Sequence, residues 1–158
     1  MHLTEQLAAE RDISRLLIEY AYIVDGKDYA RLHEIFSDDV EHHYGLTTSR
    51  GIDSLKAMVA GYIDRCGPTQ HLLGSTTIDV LDEHTATSRT YVQARHRGRG
   101  LRRRHVFDIS GTYVDKWARS GTEWRIVHRQ AEWRIMFGNV RALFGRRRPP
   151  LLKQLEGA

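Results

Sequence analysis

Two titratable side chains stand in apolar surroundings where they could move a proton. Asp25 follows two nearly apolar turns of a predicted helix, and a carboxylate beside such a stripe is partly removed from water. His71 opens a β-rich segment, and histidine titrates near neutral pH. If Asp25 accepts a hydrogen bond from one ring nitrogen of His71, the other nitrogen is free to remove a proton from carbon. The pair predicts general-base catalysis; an exposed Asp25 and a structural His71 are the alternative.

Two tyrosines precede Asp25 and compete for the role of hydroxyl donor. Tyr20 lies inside the apolar stripe, where it is either a core residue or a donor to a substrate oxygen. On an ideal helix Tyr22 and Asp25 are about 60° apart, whereas Tyr20 and Asp25 are about 140° apart. Tyr22 is therefore a rival donor.

Arginines supply two further predictions. Arg134 follows Trp124 by ten residues, so an unbroken strand places both on one sheet face, where a guanidinium needs an anionic partner or a substrate oxygen. A second group, Arg102, Arg103 and Arg104, belongs to an arginine-rich hairpin that starts at Arg95. This hairpin is either a solvated tip or a site for an anion such as a substrate carboxylate or the phosphates of coenzyme A.

The same residues argue against other classes of site. Cys66 is the only cysteine, so one chain forms no disulfide and no cysteine-based zinc site. His42 and His43 are neighbours on a predicted strand and face opposite sides, so we predict no metal site there. The arginine-rich hairpin has few interleaved aromatic residues and the first half of the chain is acidic, so we predict no nucleic-acid partner.

The elements that must position these residues follow from hydrophobic spacing. Apolar residues at helical intervals predict helices from Thr4 to about Asp25, from Asp28 to Phe36 and from Gly51 to Arg65, with a brief strand from Val40 to Tyr44. After Pro68 the period changes to two, which predicts strands near 70–82, 85–97, 104–118 and 123–137, joined by turns. Helices before sequential antiparallel strands predict an α+β fold with the helices on one face of a curved sheet.

Length and composition predict one domain. The chain has 158 residues and a hydrophobic fraction of 41%, which suits a single globular core. We place the domain at residues 1–144 and a basic, proline-containing tail at 145–158. The start of the chain lacks the pattern of a signal peptide, and no apolar run is long enough to span a membrane. We therefore expect a cytoplasmic protein without a membrane partner.

Four segments resemble the nuclear-transport-factor-2-like superfamily, in particular its SnoaL-like branch of dehydratases, cyclases and isomerases. They are Ile18–Lys27, Ile35–Val40, Gln70–Gly74, and Gly111–Trp117 with the following Gly121–Ile126. Within the branch the chain is most similar to the bacterial bile acid 7α-dehydratases, whose tyrosine, aspartate, histidine and arginine fall on Tyr20, Asp25, His71 and Arg134. Scytalone dehydratases and hexachlorocyclohexane dehydrochlorinases share the aspartate and histidine; the latter carry lysine in place of Tyr20, which favours water elimination here.

The resemblance implies a cone-shaped α+β barrel around an apolar cavity, with no cofactor and a homodimer or homotrimer as the assembly. It implies a dehydratase that acts on a hydroxylated cyclic, steroid- or polyketide-like substrate. We expect substrate contacts from the following residues: Leu17, Tyr22, Met58, Trp117, Arg102, Arg103 and Arg104. Two alternatives stay open. One is a SnoaL-like polyketide cyclase or ketosteroid-type isomerase with Asp25 as the base, and the other is a binding module without catalysis.

Overall fold

A computed structural model describes residues 2–45 and 47–145 and has the predicted α+β architecture. A long N-terminal helix packs on the inner face of a curved six-stranded mixed sheet. Among the described residues, no helix is long and apolar enough to cross a membrane. The predicted tail lies outside the described residues, apart from Gly145.

The first helix, α1 (Leu3–Gly26), buries one stripe against the sheet. Its buried residues recur at intervals of three and four: Ala9, Ile13, Leu17, Tyr20, Ile23 and Val24. The helix ends because Lys27 takes the left-handed conformation (φ 59°) and donates its N–H to the carbonyls of Ile23 and Val24. This C-terminal end of α1 brings Asp25 next to the sheet.

The segments after α1 form a 3₁₀ helix, the first two strands of the sheet and a second α-helix. A 3₁₀ helix occupies Tyr29–Glu34, where the sequence predicts a short helix. Strand β1 (Phe36–His43) begins earlier than predicted, and it pairs with a short unpredicted strand, β2 (Thr48–Arg50). Helix α2 (Ile52–Ile63) matches the predicted third helix.

Four long strands complete the sheet: β3 (Cys66–Val80), β4 (Thr85–Gly98), β5 (Val106–Ser120) and β6 (Glu123–Gly138). They are sequential antiparallel neighbours, as the turn residues predict, and the spatial order is β2-β1-β6-β5-β4-β3. The pairing of β1 with β6 is parallel. A short helix, α3 (Arg141–Phe144), follows the sheet and buries Ala142, Leu143 and Phe144. The hydrophobic pattern does not predict α3, because four residues are too few for a periodic signal.

Strand β6 is interrupted by two bulges, whereas the prediction for Arg134 required an unbroken strand. Lys116 pairs with His128 but Trp117 pairs with Ile126, so Val127 is an extra residue in β6. Gly111 pairs with Trp133 and Ser110 with Ile135, which makes Arg134 a second extra residue. Each bulge breaks the alternation of faces. The arginine that faces the core is therefore Arg129, which is fully buried, whereas Arg134 is exposed on the outer face.

Candidate active site

The carboxylate of Asp25 is held by three hydrogen bonds. Thr69 donates its hydroxyl to Oδ1 at 2.7 Å, and the backbone N–H of His71 donates to Oδ2 at 2.8 Å. The ring Nδ1 of His71 lies 2.7 Å from Oδ1. All three donors come from the first residues of β3, so the end of α1 and the start of β3 form one polar junction.

These hydrogen bonds decide the charge state of Asp25. Burial raises the pKa of a carboxyl group, but the hydrogen bonds from the His71 ring, the His71 backbone and Thr69 together lower the pKa of Asp25 below its ordinary value. Asp25 is therefore ionised at neutral pH. An ionised Asp25 accepts the proton of Nδ1 and so fixes the neutral tautomer of His71 with its lone pair on Nε2.

The free edge of the His71 ring faces a cavity. The side chain of His71 is only 6% exposed, yet Nε2 has no hydrogen-bond partner in the described part of the chain and is not sealed in the core. His71 is one of the residues that line the cavity, whereas Asp25 lies behind it and is not. The geometry is that of a base on the cavity wall with an orienting acceptor behind it.

A second histidine, His96, lines the same cavity. Its ring lies edge-on to that of His71, with the ring centres 5.6 Å apart, and its Nδ1 is 3.2 Å from the carbonyl oxygen of Phe107. Burial is the main cause that lowers the pKa of His96 to about 4, and the neighbouring His71 ring is a smaller cause. His96 is therefore neutral at pH 7, donates from Nδ1 to Phe107 and keeps an acceptor nitrogen.

Three tyrosines supply further polar groups to the cavity wall. The hydroxyl oxygens of Tyr20 and Tyr44 are 3.2 Å apart, and the ring of Tyr113 contacts both tyrosine rings edge-on. Burial is the main cause that raises the pKa of each of the three phenols well above its ordinary value. The phenols are therefore neutral at pH 7, and one hydroxyl of the Tyr20–Tyr44 pair donates to the other.

A buried cation lies beneath these tyrosines. The guanidinium carbon of Arg129 is 4.4 Å from the ring centre of Tyr20 and 4.2 Å from that of Tyr113. Asp115 accepts two hydrogen bonds from Arg129, at 2.7 and 2.8 Å, which leaves Nη1 as a buried nitrogen with no partner among the described residues. Asp115 stabilises the charge, and the positive field of Arg129 favours negative charge at the tyrosine hydroxyls.

The rest of the cavity wall is apolar. It consists chiefly of Val24, Met58, Ile63, Ile109, Trp133, Leu143 and Phe144. About 90 Å³ of the cavity is open to a water-sized molecule. Apolar walls with a few convergent polar groups are typical of small-molecule sites.

The family is identified by sequence comparison. The SnoaL-like domain family matches residues 5–130, which include Asp25, His71, His96 and Arg129. The chain belongs to the SnoaL-like family. No curated protein sequence matches the chain.

Solved structures agree with this SnoaL-like assignment. A candidate scytalone dehydratase from Novosphingobium aromaticivorans is 25% identical with a TM-score of 0.80, and the match covers 94% of this chain and 99% of that chain. A type 3 hexachlorocyclohexane dehydrochlorinase from Novosphingobium barchaimii is 17% identical with a TM-score of 0.75, covering 93% and 99%. A nuclear-transport-factor-2-like superfamily protein from Salmonella enterica is 16% identical with a TM-score of 0.72, covering 80% and 92%. The last two show the fold alone.

These findings confirm the predicted superfamily and its SnoaL-like branch. A SnoaL-like fold with a dehydratase-type neighbour supports an enzyme that processes a small molecule.

Several predicted substrate contacts of this SnoaL-like chain lie elsewhere. Tyr20 and Met58 line the cavity, but Tyr22 is 71% exposed to solvent on the opposite side of α1. Leu17 and Trp117 are buried core residues outside the cavity wall, and the indole N–H of Trp117 donates to Ser88. The prediction for Tyr22 was wrong. The helix turns about 100° per residue, and a side chain that is close in angle to Asp25 can still fall outside the buried stripe of α1.

The predicted arginines also lie outside the cavity. Arg134 is the extra residue of a bulge and borders a groove on the outer sheet face. Arg102 donates to the carbonyls of Arg141 and Arg65, so one N–H of each Nη group is engaged within the chain. Arg103 and Arg104 are exposed, and neither lines the cavity. The arginine-rich hairpin is therefore not part of the cavity wall.

Metal-binding residues do not gather in the described ranges. No group of three His, Cys, Asp or Glu side chains is close enough to hold a metal ion there. His42 is buried with an unpartnered Nε2, while Nδ1 of the neighbouring His43 lies 3.3 Å from the Thr48 hydroxyl. The two rings lie in different surroundings, as expected for neighbouring residues of strand β1.

Proposed function

We propose that the protein is a cofactor-independent lyase that eliminates water from a hydroxylated cyclic ketone. The observation that carries this proposal is the 2.7 Å contact of His71 Nδ1 with Asp25, with Nε2 of His71 open to the cavity. An imidazole held in one tautomer is a suitable general base near neutral pH.

In the proposed reaction, Nε2 of His71 removes a proton from the carbon next to the substrate carbonyl. The electron pair of that C–H bond moves toward the carbonyl, and negative charge develops on its oxygen. Ionised Asp25 stabilises the imidazolium that forms without accepting the proton itself. Asp25 is therefore a positioning residue, because it acts through His71.

The tyrosine cluster is suited to the developing oxyanion. Tyr20 and Tyr44 are neutral with hydroxyl groups 3.2 Å apart, so the hydroxyl that accepts from the other keeps its own proton for a substrate oxygen. The guanidinium of Arg129 lies against the ring of Tyr20. Preoriented donors of this kind stabilise charge that appears only in the transition state. The resemblance predicted Arg134 as the arginine of the family site. Arg129 is the better candidate for that role.

The leaving group departs on the histidine side. His96 is neutral and its acceptor nitrogen is free to hold the substrate hydroxyl. The carbon–oxygen bond breaks as the enolate collapses, and the imidazolium of His71 returns its proton to the departing hydroxide. The products are one water and an α,β-unsaturated ketone, so protons and electrons balance.

Cavity size narrows the substrate class. A buried water needs roughly 10–15 Å³, so the cavity volume of about 90 Å³ corresponds to about six to nine waters. This volume favours a compact substrate of one or two fused rings, as in aromatic polyketides. The finer similarity to bile acid 7α-dehydratases, which implies a steroid substrate, stays a prediction.

The alternatives are less well supported. Both carboxylate oxygens of Asp25 accept hydrogen bonds and Asp25 does not line the cavity, which disfavours an isomerase that uses Asp25 as its base. A binding module has no need for His71, His96 and the tyrosines to converge on one cavity. We therefore rank elimination first.

The experiment is a turnover assay on one- and two-ring β-hydroxy ketones, which follows the absorbance of the conjugated product. His71→Gln is expected to lower turnover by roughly 10² to 10⁴, the usual contribution of a positioned acid–base group. The controls are His84→Gln, in an exposed turn, and Tyr22→Phe, on the solvent side of α1. Tyr20→Phe is expected to lower kcat, and equal effects of the two Tyr→Phe changes would contradict the oxyanion role.

A further inference from the structure

The last described segment of the chain forms part of the cavity wall. The family match ends at residue 130, whereas Leu143 and Phe144 of α3 line the cavity. Phe144 contacts the rings of Phe107 and Tyr62 edge-on. Residues after the family match therefore supply part of one wall of the cavity.

A single side chain ties this wall to the two segments beside it. Arg102, at the tip between β4 and β5, donates from Nη1 to the carbonyl oxygen of Arg141 at 2.6 Å. Its Nη2 donates to the carbonyl oxygen of Arg65, just after α2, at 3.3 Å. Tyr62 and Ile63, at the end of α2, also line the cavity. The guanidinium thus bridges α3 and α2 at the edge of the cavity.

We propose that Arg102 is a positioning residue that holds α3 as a wall of the cavity, and that this wall limits the size of the ligand. A planar guanidinium presents several donors in a fixed arrangement, so one side chain can satisfy two carbonyls that face each other. Apart from Arg102, α3 is held by the burial of Ala142, Leu143 and Phe144 and by a weak contact of the Cys66 thiol with the Ala142 carbonyl. Loss of Arg102 is therefore expected to open α3 without unfolding the sheet.

Other arginines of the same hairpin provide the comparison. Arg95 is engaged by Asp108 on the outer sheet face, and Arg97 donates to the carbonyl of Arg103. The exposed side chain of Arg99 has no hydrogen bond or ion pair within the described ranges. Arg99→Ala removes the same charge from the same hairpin and is the matched control for Arg102→Ala.

The first measurement needs no substrate. Amide hydrogen exchange is followed in the peptide that covers residues 138–145, whose amides of Leu143, Phe144 and Gly145 bond within α3. Loss of a hydrogen bond from a charged donor is expected to speed exchange about tenfold there. Exchange in β5 is expected to stay unchanged, Arg99→Ala to resemble the wild type, and Arg102→Lys to fall between the wild type and Arg102→Ala.

The second measurement rests on the proposed function. Arg102→Ala is expected to raise KM several-fold for a compact substrate with kcat within about twofold, and to improve the relative kcat/KM of a bulkier one. If exchange in residues 138–145 is the same in Arg102→Ala and Arg99→Ala, the proposal is wrong whatever the turnover. If exchange differs between these variants but neither the wild type nor any variant shows turnover, the proposed function is wrong. The role of Arg102 in holding α3 is then still supported. If Arg102→Ala does not fold, Arg102→Lys and Arg102→Gln carry the same comparison.

Discussion

At the scale of single residues, the site depends on two histidines in different electrostatic surroundings. His71 has an ionised acceptor behind it, whereas His96 is buried beside a backbone carbonyl. The first arrangement favours proton transfer, and the second keeps a ring neutral. Each histidine leads to a separate testable prediction.

Asp25 and His71 are expected to act as a unit. Asp25→Asn removes the charge that stabilises the imidazolium, so turnover falls, and His71→Gln removes the base. Since both changes disable one function, the double variant is expected to lose little more than His71→Gln alone. Steady-state kinetics of the four proteins test this, and multiplicative losses would mean that Asp25 has a separate role.

The buried His96 is expected to make the fold sensitive to acid. The unfolded chain binds a proton at His96 near pH 6.5, but the folded state does so only near pH 4. The unfolded state therefore gains protons first as the pH falls, and roughly 3 kcal/mol of folding stability is lost between pH 6.5 and 4. Burial also lowers the pKa of His42. His42 therefore adds to the loss of folding stability at low pH in the wild type and in every variant that keeps His42.

His96→Asn isolates this effect, because asparagine keeps a donor for Phe107 but does not titrate. Urea unfolding at pH 7, 5.5 and 4.5 is expected to show a smaller decline for His96→Asn than for the wild type. Parallel declines would show that His96 accepts a proton in the folded state.

The sequence predicted part of this site and missed part of it. Asp25 is accessible to sequence reasoning because it follows an apolar stripe, and His71 because it opens a β-rich segment and falls on the histidine of the resembling family. His96 was missed although a signal exists: β4 alternates, and His96 shares the parity of the inward-facing Val92 and Ala94. Arg129 could not be found from alternation alone, because the bulge at Val127 reverses the faces of β6.

At the scale of elements, the bulge at Val127 brings Arg129 beneath the tyrosines, and a second bulge in β6 turns Arg134 outward. The second bulge, at Arg134, lies opposite Gly111 of β5. A Cβ at Gly111 would lie 2.2 Å from the carbonyl oxygen of Glu132, well inside contact distance. Only glycine allows the strands to approach this closely.

Gly111→Ala is therefore expected to force β5 and β6 apart and to destabilise the fold by about 1–3 kcal/mol. Gly74→Ala is the control, because a Cβ there meets nothing within 4 Å. Chemical denaturation measures both. Equal stabilities of the two variants would show that the strand pairing relaxes at no cost.

Helices and strands were predictable to within a few residues, with a physical reason for each miss. The start of β1 was missed because Phe36 also fits the helical spacing of the preceding segment. Strand β2 and helix α3 are too short for a periodic signal. Helix α3 matters most, because it completes the cavity wall.

At the scale of the whole molecule, one exposed sheet face carries apolar residues on adjacent strands. Leu72, Tyr91, Ile135 and Phe137 are all more than half exposed there, and a groove runs between several of them. Exposed apolar patches of this kind are typical of protein contacts. The resemblance to SnoaL-like proteins implies a homodimer or homotrimer, and we expect this face to be the contact.

Ile135→Glu combined with Phe137→Glu is expected to produce monomers, because two carboxylates would be buried without partners. Leu101→Glu, at a hairpin tip where Leu101 is 99% exposed, is the control and is expected to leave the assembly intact. Sedimentation velocity distinguishes the states. A wild-type monomer, or an unchanged assembly in the double variant, would contradict this expectation.

The most direct test of the central claim isolates the removal of the proton by His71. The measurement is the rate at which the protein exchanges the proton next to the carbonyl of a compact cyclic ketone that carries no hydroxyl group to eliminate, followed by NMR in D₂O. The wild type and His84→Gln are expected to catalyse exchange equally, and His71→Gln to be slower by at least about 10². Equal exchange rates for His71→Gln and the wild type would contradict the assignment of His71 as the base.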